Sequence, residues 1–213
     1  AHARLALGIE PDDVVMGTVT RLHDSKGNEY LVEAARHVLD ARPRARFFIF
    51  GEGPLLASLQ DQAAALSLGG RFVFGGFVKD VRQALAAFDV SVFPSLWEGT
   101  PLTVFEAMAA GLPIVATDAD CLMEVLTPDH DALIVPRRDA QALADRIIRL
   151  IDAPAERARL SAASRATSQA YDITTFVRKM ETLYDILHRE SKPRRRRVVG
   201  AVDLSFLTRK DTP

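Results

Sequence analysis

Six short apolar runs, each followed by a stretch with helical patterning, constrain this chain more than any other feature. The runs cover residues 14–20, 46–50, 71–74, 90–94, 113–117 and 132–136. They hold β-branched and aromatic residues without strict apolar–polar alternation, which suits strands buried on both faces. Helical stretches fall at 28–41, 54–66, 80–87, 103–110 and 122–126, and three more close the chain at 140–151, 154–170 and 173–189. In the first of these Tyr30, Leu31, Ala34, Ala35, Val38 and Leu39 recur at helical spacing, with Asn28 as the expected N-cap. Gly111 is expected to end the helix at 103–110. Strands that alternate with helices form a parallel sheet, because crossovers between parallel strands are right-handed. The expected fold is therefore α/β, a Rossmann-like doubly wound parallel sheet of six strands in the order 3-2-1-4-5-6, with helices on both faces. Ligands of such sheets sit beyond the carboxyl ends of the strands, where the order reverses between strands one and four. The loops at 21–27 and 95–102 meet there.

The totals narrow the function classes. With 213 residues the chain can build one core of ordinary size. A net charge of −1 gives no bulk field for nucleic acid, so no nucleic-acid partner is expected. The single cysteine, Cys121, excludes a disulfide framework and fits a reducing, cytoplasmic compartment. No apolar run is long enough to span a bilayer. The five histidines, His2, His23, His37, His130 and His188, are scattered without ligand spacing, so no metal is expected. Residues 1–13 read as a connector ending in the turn Pro11-Asp12-Asp13, with no start methionine and no signal peptide. The segment 14–190 reads as one domain. The tail, 191–213, carries five cations within Lys192 to Arg197 and is expected to be disordered. An anionic membrane surface would attract it by roughly 1 kcal/mol per basic residue, which allows a peripheral contact at the inner face of a membrane.

Two loops carry the chemistry. Arg21 and Lys26 leave the first strand, and in the crevice they would neutralise a diphosphate as it departs; on this loop alone they are equally well two surface charges. Glu98 and Glu106 are separated by seven residues. Glu98 lies in a loop with Gly99 and Pro101 and can accept hydrogen bonds from ligand hydroxyls, or stand as a solvated loop acid. Glu106 can bind the vicinal hydroxyls of a ribose, or it can close a capping box with Thr103 as N-cap. The amides of Thr100, Leu102 and Thr103, at a helix N-terminus, can hold phosphate oxygens. Gly51-Glu52-Gly53 resembles half of a dinucleotide fingerprint but follows the second strand, and Leu56 stands in place of the third glycine. A nicotinamide or flavin enzyme is excluded on that ground, and no P-loop is present.

Taken together, the blocks resemble the C-terminal, donor-binding domain of the GT-B glycosyltransferases of group 1, the retaining family 4. The matching residues are Gly17-Thr18-Val19-Thr20-Arg21-Leu22 with Lys26-Gly27, Phe48-Ile49-Phe50-Gly51-Glu52-Gly53-Pro54, Val73-Phe74-Gly75-Gly76-Phe77 and Phe88 to Ser95. They continue with Glu98-Gly99-Thr100-Pro101-Leu102, then Glu106 through Thr117, then Glu124 and Leu133-Ile134-Val135-Pro136. The resemblance covers residues 14 to 185. It implies one half of a GT-B fold acting on a nucleotide-diphosphate sugar in polysaccharide biosynthesis, with no cofactor and no metal. It assigns Arg21 and Lys26 to the donor diphosphate, Glu98 to the transferred sugar, and Glu106 to the ribose. Gly99, Thr100, Pro101, Leu102 and Thr103 match the amide loop under the phosphates, and Gly76 and Val78 fall near the base.

The chain departs from the pattern in three ways. Asp120-Cys121 replaces the two glycines usual before Glu124, and Thr100-Pro101-Leu102 replaces the commoner Phe-Gly-Leu. There is also no segment resembling the N-terminal domain that carries the acceptor site. The resemblance therefore implies an excised donor-binding domain that binds nucleotide and transfers nothing alone, its partner being the missing acceptor domain. A GT-B nucleotide-sugar epimerase domain and a non-catalytic interaction module of the same fold are the alternatives.

Overall fold

The computed structural model of the chain describes residues 2–191. Within Ala1–Arg165, one compact unit, the elements run in order as α1 (His2–Ala6), β1 (Val14–Val19), α2 (Asn28–Ala41), β2 (Ala45–Phe50), α3 (Leu56–Ala65), β3 (Phe72–Gly76), α4 (Val81–Leu85) and β4 (Val90–Phe93). They continue as α5 (Leu102–Ala109), β5 (Ile114–Thr117), α6 (Asp120–Val125), β6 (Ala132–Val135), α7 (Ala140–Asp152) and most of α8 (Pro154–Ser168). A second unit begins at Ala166, inside the stretch read from sequence as one domain, and contains α9 (Ile173–Ser191). Ser191 ends that helix; the rest of the basic tail, 192–213, lies outside the described residues.

All strand pairings are parallel, and the sheet order is β3-β2-β1-β4-β5-β6. This is the doubly wound order expected from the alternation. Apart from the edge strand β3, the strands are buried over most of their length, which explains why their sequences show apolar runs and not alternation. One face is covered by α2 and α7, with Leu31, Val38, Leu143, Ile147 and Leu150 all but inaccessible. Ala34, Ala35 and Ala144 at the same interface let the two helix backbones approach. Each such Leu, Ile or Val contributes about 1.5–3 kcal/mol by leaving water. On the opposite face Phe48, Phe50 and Phe88 stack in a row, with centroids 6.0 Å apart at each step. Gly17 makes room for the last ring: a Cβ there would lie 2.2 Å from Phe88.

Local details depart from the sequence reading. Residues 2–6, read as connector, form α1, and this segment is tied to the sheet. Arg4 pairs with Asp89 at 2.8 Å and also donates to the Asp13 carbonyl at 2.6 Å. Asn28 is not the cap of α2. Gly27 holds that position in the left-handed region, and Asn28 is the first helical residue, buried, donating from Nδ2 to the Arg21 carbonyl at 3.3 Å. A buried amide finds a better partner in a loop carbonyl than in its own helix end. Pro54 lies just ahead of α3, whose N-cap is Leu55. Helix α5 is capped at its C-terminus by Ala110, with Gly111 following in the left-handed region.

Candidate donor-binding site

The site forms where β1 and β4 part. Their pairing covers Met16↔Val90 and Gly17↔Ser91, whereas β1 stays paired with β2 as far as Val19↔Phe50. The β1 loop keeps running beside the β2 loop beyond the strands, through Thr20 N–H to Phe50 O at 2.9 Å and Leu22 N–H to Glu52 O at 2.9 Å. Gly51 and Gly53 permit this approach. A Cβ on Gly51 would lie 1.7 Å from the Thr20 carbonyl oxygen, and one on Gly53 would lie 2.3 Å from that of Leu22. The Gly51-Glu52-Gly53 motif thus shapes the Arg21 loop, a role the sequence signal did not disclose.

Gly27 makes the second approach. Its φ of 59° and the Pro94 carbonyl, 2.2 Å from where a Cβ would stand, leave room for no other residue. The β4 loop is fastened from its own side, because the amides of Leu96 and Trp97 both donate to the Ser25 carbonyl, at 2.9 and 3.1 Å. Arg137 adds a third tether, reaching the Leu96 carbonyl at 3.4 Å while its Nε donates to Asp118 at 3.1 Å. Three loops are thereby drawn to one end of the sheet.

This assembly brings Lys26 and Glu98 into contact. Lys26 Nζ lies 2.5 Å from Glu98 Oε2. Ser95 Oγ donates to Glu98 Oε1 at 2.6 Å, and Thr117 Oγ1 donates to the Ser95 carbonyl at 2.5 Å. Glu98 is buried at 7% exposure, so the reading as a solvated loop acid fails for it, and that of Lys26 as an ordinary surface charge fails with it. Arg21 is exposed at the same loop, and its guanidinium has no hydrogen bond or ion pair among the described residues. Ser95 and Thr117 were not singled out by sequence. Ser and Thr are common, and only the fold shows Thr117 fixing the Ser95 carbonyl while the Ser95 hydroxyl holds Glu98.

The capping-box alternative for Glu106 is overturned. Helix α5 begins at Leu102, its N-cap is Pro101, and no side chain caps it, so Thr103 sits inside the first turn. Glu106 points instead to a cavity of about 650 Å³ between α4 and α5, lined also by Arg82, Leu85, Phe88 and Leu112. Although Glu106 keeps much of its side chain in water, partial desolvation raises its carboxyl above the usual range. The Leu102 amide is turned back onto the Thr100 carbonyl at 2.9 Å, so it is not free for a phosphate as expected; the amides of Thr100 and Thr103 have no partner among the described residues. Gly99 and Thr100 are exposed and Pro101 is buried. Gly76, in the left-handed region, ends β3, and Val78 lines a smaller cavity with Lys79, Asp80, Arg82 and Gln83. The predicted residues therefore occupy two places, Arg21, Lys26 and Glu98 around the switch point and Glu106, Gly76 and Val78 toward α4. Among the described residues no hydrogen bond or ion pair joins the two sets.

Asp120 opens α6 and is exposed; Arg137 reaches to within 3.9 Å of it. Among the described residues no group of three or more His, Cys, Asp or Glu is placed to hold a metal ion, and no helix is long and apolar enough to cross a membrane.

A doubly wound parallel sheet with an ion pair at its switch point is the Rossmann-like architecture of one half of a GT-B fold. The profile of the family described as glycosyl transferases group 1 matches residues 3–167, and the chain belongs to that family. It is 32% identical over 199 residues to the lipopolysaccharide core biosynthesis mannosyltransferase LpsB of Rhizobium meliloti, an alignment covering 88% of this chain and 56% of the relative. HepE of Anabaena, solved in complex with UDP-glucose, superposes with a TM-score of 0.80 at 28% identity, covering 86% of this chain and 52% of HepE. The C-terminal domain of the group 1 glycosyl transferase LpcC of Francisella tularensis superposes with a TM-score of 0.74 at 25% identity, covering 81% of this chain and 92% of that domain. The chain thus spans about half the length of the full-length relatives it matches.

Proposed function

We propose that the chain is the donor-binding half of a retaining glycosyltransferase, which moves a sugar from a nucleotide-diphosphate sugar to an acceptor. The observation that carries this reading is the Lys26–Glu98 contact at the switch point, with the unpartnered Arg21 on the same loop. HepE, solved with UDP-glucose, supports it through a fold shared at 28% identity.

In this reading the donor diphosphate lies against Arg21, Lys26 and the exposed amides ahead of α5. Negative charge grows on the diphosphate as the bond to the anomeric carbon breaks, and the two cations stabilise that charge. One such preorganised group contributes on the order of 10²–10³ in rate. Glu98 accepts a hydrogen bond from a hydroxyl of the transferred sugar, and Glu106 accepts from the ribose. The acceptor enters from a second domain, which the relatives' greater length can supply. Helix α9, with Ile173, Phe176, Val177, Tyr184 and Leu187 on one stripe, is suited to pack against such a domain. No step in this scheme calls on a metal or a cofactor. The setting is cytoplasmic, with the basic tail available to a membrane's inner face.

Calorimetric titration of the folded chain with UDP, GDP and ADP tests the reading. Binding of one of them, with no sugar transfer by the chain alone, is expected. Silence toward all three would count against it.

A further inference from the structure

We propose that the Lys26–Glu98 ion pair is a resting contact that the donor exchanges, with Ser95 the positioning residue that holds Glu98 once Lys26 has left. The inference rests on the donor-binding reading and gives that site an order of events. The two oxygens of Glu98 are divided between two donors: Oε1 takes the Ser95 hydroxyl at 2.6 Å and Oε2 takes Lys26 Nζ at 2.5 Å. The two donors differ in how firmly they are fixed. Ser95 is buried at 3% exposure, and its carbonyl accepts from Thr117 at the end of β5, so its hydroxyl is anchored by the sheet. Lys26 is on a loop, its side chain is 22% exposed, and its ammonium ends a flexible four-carbon stem.

A diphosphate arriving beside Arg21 offers Lys26 more negative charge than one carboxylate does. The ammonium can move to it by rotation of its own stem. That move strips Glu98 of its cation in a buried place, which is unfavourable unless another donor replaces it. A hydroxyl of the donor sugar is the group that can do so, meeting Oε2 while Ser95 keeps Oε1 in place. A nucleoside diphosphate without a sugar must break the pair and leaves Oε2 short of a donor. The exchange therefore discriminates against the leaving nucleotide and in favour of the intact donor, which assists product release.

The test compares each nucleoside diphosphate with its sugar conjugate (UDP with UDP-glucose, GDP with GDP-mannose, ADP with ADP-glucose) by calorimetry on this chain and its variants. Glu98→Gln removes the competitor for Lys26. It is expected to tighten the nucleoside diphosphate about fivefold and to weaken the sugar conjugate, reversing the preference. Ser95→Ala is expected to leave the nucleoside diphosphate within about twofold and to weaken the conjugate about fivefold, with Ser95→Thr restoring it. Unfolding midpoints of the variants serve as the folding control. Equal weakening of both ligands by Ser95→Ala, or no tightening of the nucleoside diphosphate by Glu98→Gln, overturns the exchange while leaving donor binding in place. Failure of every nucleotide to bind the folded parent chain overturns the donor-binding reading and the exchange together.

Discussion

The two ends of the sheet each hold a buried acid with basic partners, and they differ in what surrounds it. At the amino ends of the strands Asp13 is inaccessible. It accepts from the Glu10 amide at 3.0 Å and from Arg71 at 2.8 Å, with Arg46 at 3.7 Å. Arg4, on α1, clasps the Asp13 carbonyl. Burial pushes the Asp13 carboxyl up, but the Glu10 amide and the Arg71 and Arg46 charges outweigh it, and the group titrates below its ordinary value. At the carboxyl ends Glu98 has Ser95 and a single cation, on a loop that also carries Arg21, whose guanidinium has no partner among the described residues. The first acid is closed in by partners from several segments; the second has one partner that can leave. The same ion-pair chemistry serves structure where every partner is fixed and serves binding where one is not.

Breaking the two acids separately should expose the difference. The largest effect is expected from Asp13→Ala, which takes the carboxylate from Arg71 and Arg46 and leaves the Glu10 amide without its acceptor. It should lower unfolding free energy by about 3 kcal/mol in denaturant titration, with unchanged nucleotide affinity in the folded fraction. Lys26→Ala should cost less stability, about 2 kcal/mol, because Glu98 loses its cation but keeps the Ser95 hydroxyl. The same change should weaken nucleoside diphosphate binding about tenfold by calorimetry. If Lys26→Ala proved as destabilising as Asp13→Ala, the contrast between the two ends would collapse.

Smaller effects sharpen the picture. Glu106→Gln should weaken nucleotide binding about threefold, the scale of one charge-assisted hydrogen bond to a partly wet carboxylate. Because partial desolvation makes the Glu106 carboxyl titrate above the ordinary glutamate value of 4.5, the parent's affinity should begin to fall at a pH higher than an ordinary glutamate would give, and the Gln variant should lose that component. The last prediction concerns acid. The folded-state pKa of Asp13 is depressed, so its stabilisation is present above the ordinary value of 3.8 and is lost as pH falls through the lower folded value. Unfolding measured across that window should show a pH slope that Asp13→Asn flattens.

Much of this was legible before any coordinates. The six apolar runs and their spacing gave the sheet order, because right-handed crossovers leave few alternatives. The two loops that meet at the switch point followed from the order alone, and the Lys26–Glu98 contact lies between them. The N-cap assignments failed, whereas Gly111 does end its helix in the left-handed region. Asn28 and Thr103 are good caps by propensity, but Gly27 and Pro101 hold the positions because the backbone there must approach Pro94 or turn into α5. Propensity is worth a fraction of a kcal/mol per residue, and tertiary placement overrides it.

By itself, then, the sequence determined the layered α/β architecture and which residue types stand at the carboxyl ends of the strands. Local pattern and chain connectivity suffice for both. Only the tertiary structure decided who holds whom. Thr117 fixes the Ser95 carbonyl because β4 and β5 are neighbours, and Lys26 reaches Glu98 because Gly27 lets the β1 loop touch the Pro94 carbonyl. The Asp13 network joins residues far apart in sequence for the same reason. Such contacts depend on distances across the sheet, and no local pattern encodes them.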